Sequence, residues 1–90
     1  MADLTEDIAG LVESVVAPLL DFPEELEVFS SSEGTEILIE LRVNEEDAGR
    51  VIGRQGRVIK AIRTLARAAA SRADMHVEVE LVDECMRGLI

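Results

Sequence analysis

Between Arg50 and Arg72 the chain places seven cations, Arg50, Arg54, Arg57, Lys60, Arg63, Arg67 and Arg72, and no acidic residue. Inside that stretch two glycines bracket a polar pair, Gly53-Arg54-Gln55-Gly56. The chemistry open to such a segment is anion binding. Glycines on either side of a two-residue tip let the chain turn sharply and let another backbone come close. A helix beginning just after the tip aims unpaired N–H groups and a partial positive charge at it, which suits a phosphate. Arg54 and Arg57 add full charges. A cradle of this kind grips a backbone and reads few bases.

Other chemistries find little support. Gly56 is followed by Arg57-Val58 and not by the Lys-Ser or Lys-Thr of a nucleotide-binding P-loop. Ser, Thr, His and Cys are scattered without a nucleophile-and-base arrangement, so no catalytic residue is expected and the chain is read as a non-enzyme. His76 and Cys85 each stand alone, and His, Cys and carboxylates do not cluster at ligand spacing, so neither a metal nor a cofactor is expected. Phe22 and Phe29 are the only aromatics, which excludes base-stacking platforms. One cysteine cannot form an internal disulfide, which fits a reducing cytoplasm. Asp3, Glu6 and Asp7 stand where a signal peptide would carry positive charge, and Glu13 interrupts the apolar stretch, so neither a secretion signal nor a membrane span is read.

The net charge of −10 argues against a nucleic-acid partner when taken whole. Its distribution argues otherwise, because residues 1–49 hold fourteen acidic residues against the single cation Arg42. The acidic remainder is expected to repel a polyanion from every face except the loop side.

The elements that must position the loop follow from periodicity. Leu4, Ile8, Leu11, Val12, Val15, Val16, Leu19 and Leu20 have helical spacing, with Asp3 as N-cap and Pro18 bending the end. Leu26–Ser30 and Thr35–Val43 read as strands around a Ser-Ser-Glu-Gly turn, with Ile37, Ile39, Leu41 and Val43 on one face. Asn44 caps a short helix to about Ile52, with Glu45, Glu46 and Asp47 complementing its dipole. A longer helix runs from Arg57 to about Arg72, and Met75–Val82 alternates as a third strand. The tail, 84–90, has no convincing period and reads as loose or short-helical. One α+β domain results, in the order α-β-β-α-α-β, with a three-stranded sheet covered on one face by three helices.

The run Val51-Ile52-Gly53-Arg54-Gln55-Gly56-Arg57-Val58-Ile59 resembles the KH signature V-I-G-x-x-G-x-x-I, and the element order resembles the type II KH arrangement. Chain length, Val-Val-Ala-Pro-Leu-Leu at 15–20 and the Asp47-Ala48-Gly49-Arg50 lead-in are similar to the small stand-alone bacterial KH proteins of the KhpA family. The resemblance covers about residues 4–83. It implies a loop that clamps the backbone of single-stranded RNA at Gly53, Arg54, Gln55 and Gly56, with bases in a shallow apolar groove that Ile52 and Ile59 could shape. Arg50, Arg57 and Lys60 are the further candidates for RNA contact. Arg54 stands where relatives often carry lysine.

Plainer readings stand beside these. Ile52, Val58, Ile59 and Ile62 could all be core, most of all Val58 and Ile62. Lys60, Arg63 and Arg67 form a stripe that could extend a phosphate track or simply be a solvated face, the latter being favoured. The resemblance also implies self-association, or pairing with a larger KH-containing protein of the KhpB or Jag type, with Leu65 on the long helix as dimer contact; Leu65 fits core equally well. The alternative function is therefore a protein-interaction module with little RNA binding.

Overall fold

The computed structural model describes residues 4–82; the N-cap expected at Asp3 and the tail expected at 84–90 lie outside them. Six main elements follow in order: α1 (Leu4–Val16), β1 (Glu27–Glu33), β2 (Glu36–Arg42), α2 (Ala48–Ile52), α3 (Arg57–Ser71) and β3 (His76–Val82). Short 3-10 turns at Ala17–Leu19, Pro23–Glu25, Glu45–Asp47 and Arg54–Gly56 join them. This is the α+β, type II order expected from the sequence.

The sheet runs β1-β2-β3, with β1 antiparallel and β3 parallel to the central β2. A parallel neighbour requires a crossover, and the segment that makes it here contains α2, the glycine loop and α3. The loop is therefore held at both ends by elements packed on the same sheet. Ile37, Ile39 and Leu41 of β2 and Val77 and Val79 of β3 point into the core, as two-residue alternation requires. Ile8, Val12 and Val16 of α1, Val51 of α2, and Ile59, Ile62, Ala66 and Ala70 of α3 close over them. Ala66 and Ala70 are completely buried, and their small side chains let α3 lie close to the layer it packs against.

Several boundaries depart from the sequence reading. α1 ends at Val16, four residues before Leu20, because Pro18 supplies no N–H and the chain tightens into the 3-10 turn at Ala17–Leu19. β1 continues through Ser31, Ser32 and Glu33, so the Ser-Ser-Glu-Gly turn is replaced by the two-residue turn Gly34-Thr35. Gly34 carries the positive φ of +60° that such a hairpin needs. The Asn44 cap is present: its side chain accepts from the Glu46 N–H at 2.8 Å. β3 starts one residue late, leaving Met75 half-buried against the core.

Candidate nucleic-acid interface

α2 stops because Gly53 takes φ 75°, ψ 177°, a region open essentially to glycine alone. A Cβ built on Gly53 would sit 2.5 Å from Val58 Cγ2 and 3.0 Å from Val58 N, so both conformation and space require glycine there. Gly56 differs. It takes the left-handed conformation (φ 73°, ψ 18°), yet a Cβ on it would meet nothing nearer than Ile59 Cγ2 at 3.9 Å. The first glycine packs the base of the loop, and the second only turns the chain into α3.

Gln55, between them, is also left-handed (φ 56°, ψ 24°), which costs a side-chain-bearing residue about 1 kcal/mol or more. The Gly56 N–H closes the loop on Gly53 O at 3.2 Å. A helical Arg54 followed by left-handed Gln55 is the backbone pattern that turns successive N–H groups toward one concavity, suited to an anion. Arg54, Gln55 and Arg57 line an open hollow at this tip. Lys60, one helical turn on, lies over Gly56, its Cε 4.0 Å from the position a Cβ there would take. Arg54, Arg57 and Lys60 are thus brought together around the loop.

Arg50 is not brought to the same point. Its guanidinium donates to Asp21 Oδ2 at 2.8 Å, and its Nε lies 3.7 Å from Asp47 Oδ1. Arg63 and Arg67 turn toward the sheet: Arg63 Nε donates to Val79 O at 3.1 Å and Arg67 Nε to Val77 O at 3.3 Å. Arg67 nevertheless stays exposed and Arg63 half-buried, so this is a solvent-facing stripe whose guanidinium groups are anchored to a strand. Ile59 is 8% exposed and belongs to the core with Ile62, Val58 is half-buried against it, and Ile52 is 42% exposed beside the loop. Of the two groove candidates, only Ile52 presents a substantially open apolar surface. Leu65 is 47% exposed on α3 and so is not core.

Asp47 stands in the first turn as expected, but it does more than complement a dipole, because it is fully buried. Its Oδ1 accepts from the Asp21 N–H and its Oδ2 from the Phe22 N–H, both at 2.9 Å. This carboxylate ties the α1–β1 connection to the base of α2 and thereby fixes the helix from which the loop springs. The available signal was its position four residues before the buried Val51, on the same face of the helix.

A hollow of about 660 Å³ lies at the sheet and is lined in part by Glu33, Glu36, Glu78 and Glu80. Those carboxylates give it the wrong sign for a polyanion. No group of three or more metal-ligating side chains converges among the described residues, and no described helix is long and apolar enough to cross a membrane.

Residues 9–81 match the family model described as KhpA/KhpB, KH domain. The chain is similar to the RNA-binding protein KhpA of Listeria monocytogenes, 42% identical over 73 residues that cover 81% of this chain and 96% of the relative. It is also similar to the RNA-binding protein KhpA of Clostridium acetobutylicum, 43% identical over 72 residues that cover 80% and 96%. Among solved structures, Aquifex aeolicus Era, crystallised as a variant bound to GDP and aluminium fluoride, superposes with a TM-score of 0.63 at 20% identity. That match covers 97% of this chain but only 34% of the Era chain, a likeness of fold alone.

Proposed function

The chain belongs to the KhpA/KhpB family of KH domains, and because the KhpA relatives it resembles are RNA-binding proteins, we propose that it clamps the backbone of single-stranded RNA with Gly53-Arg54-Gln55-Gly56. The domain, about residues 4–83, acts as one unit. The observation that carries this reading is the loop itself: three of its four residues, Gly53, Gln55 and Gly56, have positive φ, and Arg54, Arg57 and Lys60 ring it. Backbone N–H groups and cations that converge on one point recognise phosphate and not base edges, so sequence selectivity is low. Ile52 offers the apolar contact for a base beside the loop. The protein performs no catalysis and needs no cofactor.

A site that holds about four nucleotides gains avidity from pairing. We place the pairing face on α3 at Leu65, used by a second copy or by a larger KH-containing protein of the KhpB or Jag type. The supporting observation is that Leu65 is apolar and half exposed although it stands on a helix with a well-buried opposite face. The protein then works in the cytoplasm as a post-transcriptional regulator or RNA chaperone linked to cell elongation and division. Leu65→Asp should lower the mass seen by light scattering while leaving the circular dichroism unchanged; an unchanged mass removes Leu65 from the interface.

The clamp is tested by fluorescence anisotropy with a mixed-sequence single-stranded RNA, comparing the protein with the Arg54→Asp, Gln55→Asp double variant. Aspartate tolerates the left-handed conformation, so the variant changes charge without adding strain at residue 55. Salt-sensitive binding that falls at least about tenfold in the variant supports the clamp, since two repulsive charges replace one attractive one. Unchanged binding refutes it and favours the interaction module.

A further inference from the structure

The two edges of the sheet are finished differently. Along the free edge of β3, Arg63 and Arg67 donate to the carbonyls of Val79 and Val77, and Arg67 also reaches the Glu78 carboxylate at 2.9 Å. Two guanidinium groups therefore occupy acceptors that an added strand would use. Guarding an edge with long charged side chains is a common way to prevent unwanted pairing.

The β1 edge carries no such guard among the described residues. With a two-residue turn at Gly34-Thr35, Glu33 and Glu36 are the closing pair and exchange backbone bonds. Alternate residues Ser31, Phe29 and Glu27 then also bond β2, and the N–H and C=O groups of Val28, Ser30 and Ser32 face outward. None of these three residues takes part in any further hydrogen bond among the described residues.

The sheet face beside this edge selects what could pair with it. Glu27 and Glu33 mark the two ends of β1, Glu36 and Glu40 follow on β2, and Glu78 and Glu80 on β3; Arg42 and His76 are the basic side chains of that face. Phe29, 47% exposed, stands in the middle of β1 on the same face. A second copy pairing antiparallel about Ser30 would set Glu27 against Glu33 at both ends of the added strand. RNA meets the same repulsion.

We propose that the β1 edge accepts, by strand addition, an extended basic segment of another protein. Main-chain bonds to Val28, Ser30 and Ser32 hold the segment. Its alternate lysines or arginines lie over the outer face among the glutamates, and the intervening side chains lie beside Val28. This interface is separate from the loop and from Leu65, so RNA, the α3 partner and the basic strand can be carried at once.

The test uses a fluorescein-labelled peptide that alternates lysine with valine, and a twin of equal charge in which alternate backbone nitrogens are methylated. The twin should bind about tenfold more weakly, because it loses backbone bonds and no charge. Ser30→Pro in the protein should produce a similar loss, since it removes an outward N–H and leaves the β1–β2 ladder intact. Its circular dichroism and RNA affinity should be retained. The methylated peptide makes the same test on the unaltered protein should Ser30→Pro fail to fold. Equal binding of the two peptides, or none by the parent, overturns the proposal; so does a dimer by light scattering that Ser30→Pro dissolves, which would make a second copy the occupant.

Discussion

The helical hairpin of α2, the glycine loop and α3 and the outer face of the sheet lie on opposite sides of one core and carry opposite charge. The hairpin is cationic and strained at its tip, with left-handed residues that glycine and one glutamine supply. The sheet face is acidic and conformationally ordinary, and its carboxylates stand opposite one another, Glu33 against Glu36 and Glu40 against Glu80. A net charge of −10 is therefore compatible with binding a polyanion, because fields act over about a Debye length and the two faces are separated by a packed core. What matters is where cations stand beside backbone N–H groups turned to one concavity, and among the described residues the loop is where Arg54, Arg57 and Lys60 do so.

The largest effect that sharpens this contrast is at Gly53. Gly53→Ala must push Val58 aside and hold a side chain in glycine-only φ/ψ space, so a loss of about 3 kcal/mol by urea denaturation is expected. Gly56→Ala, with open space around it, should cost only about 1 kcal/mol. Equal losses would break the claim that the two glycines do different work. Next is Asp47→Ala, which strands the Asp21 and Phe22 N–H groups; a loss of about 2 kcal/mol in the same assay is expected. A neutral result would mean that water replaces the carboxylate and that the base of α2 is held by packing alone.

A smaller effect is expected in the salt dependence of RNA binding. Three phosphate contacts, at Arg54, Arg57 and Lys60, predict a slope of log affinity against log salt of about −2. Lys60→Ala should make it shallower by about 0.7, whereas Arg63→Ala should leave it unchanged, because that guanidinium is held by Val79 O. The smallest effect belongs to the sheet. Glu40→Gln with Glu80→Gln relieves a like-charge pair and should stabilise the protein by about 0.5 kcal/mol, with RNA affinity within about twofold of the parent. A large gain in affinity would show that the acidic face reaches the loop electrostatically.

Much of this was legible in the sequence where one physical rule dominates. Apolar spacing on α1 and α3, alternation on β2 and β3, and paired glycines between helices each leave a local pattern. β1 was read short because Ser31 and Ser32, followed by Glu33-Gly34, have no alternation and resemble a turn; their strand conformation comes from register with Leu38 and Ile37. The tie made by Asp47 was not legible because its partners lie 25 and 26 residues away, and only its spacing to Val51 pointed to burial. The anchoring of Arg63 and Arg67 left no sign in the sequence because their acceptors are carbonyls of a strand that has not yet begun.

The central claim, that RNA is held by the hairpin tip and not by the sheet, is tested most directly by following backbone amide NMR signals during titration with a short single-stranded RNA. The account predicts shifts concentrated at Ile52–Lys60, strongest at Gly53, Arg54, Gln55 and Gly56, with β1 and the outward residues of β2 unmoved. Shifts centred on the sheet face, with the loop signals unchanged, would contradict it.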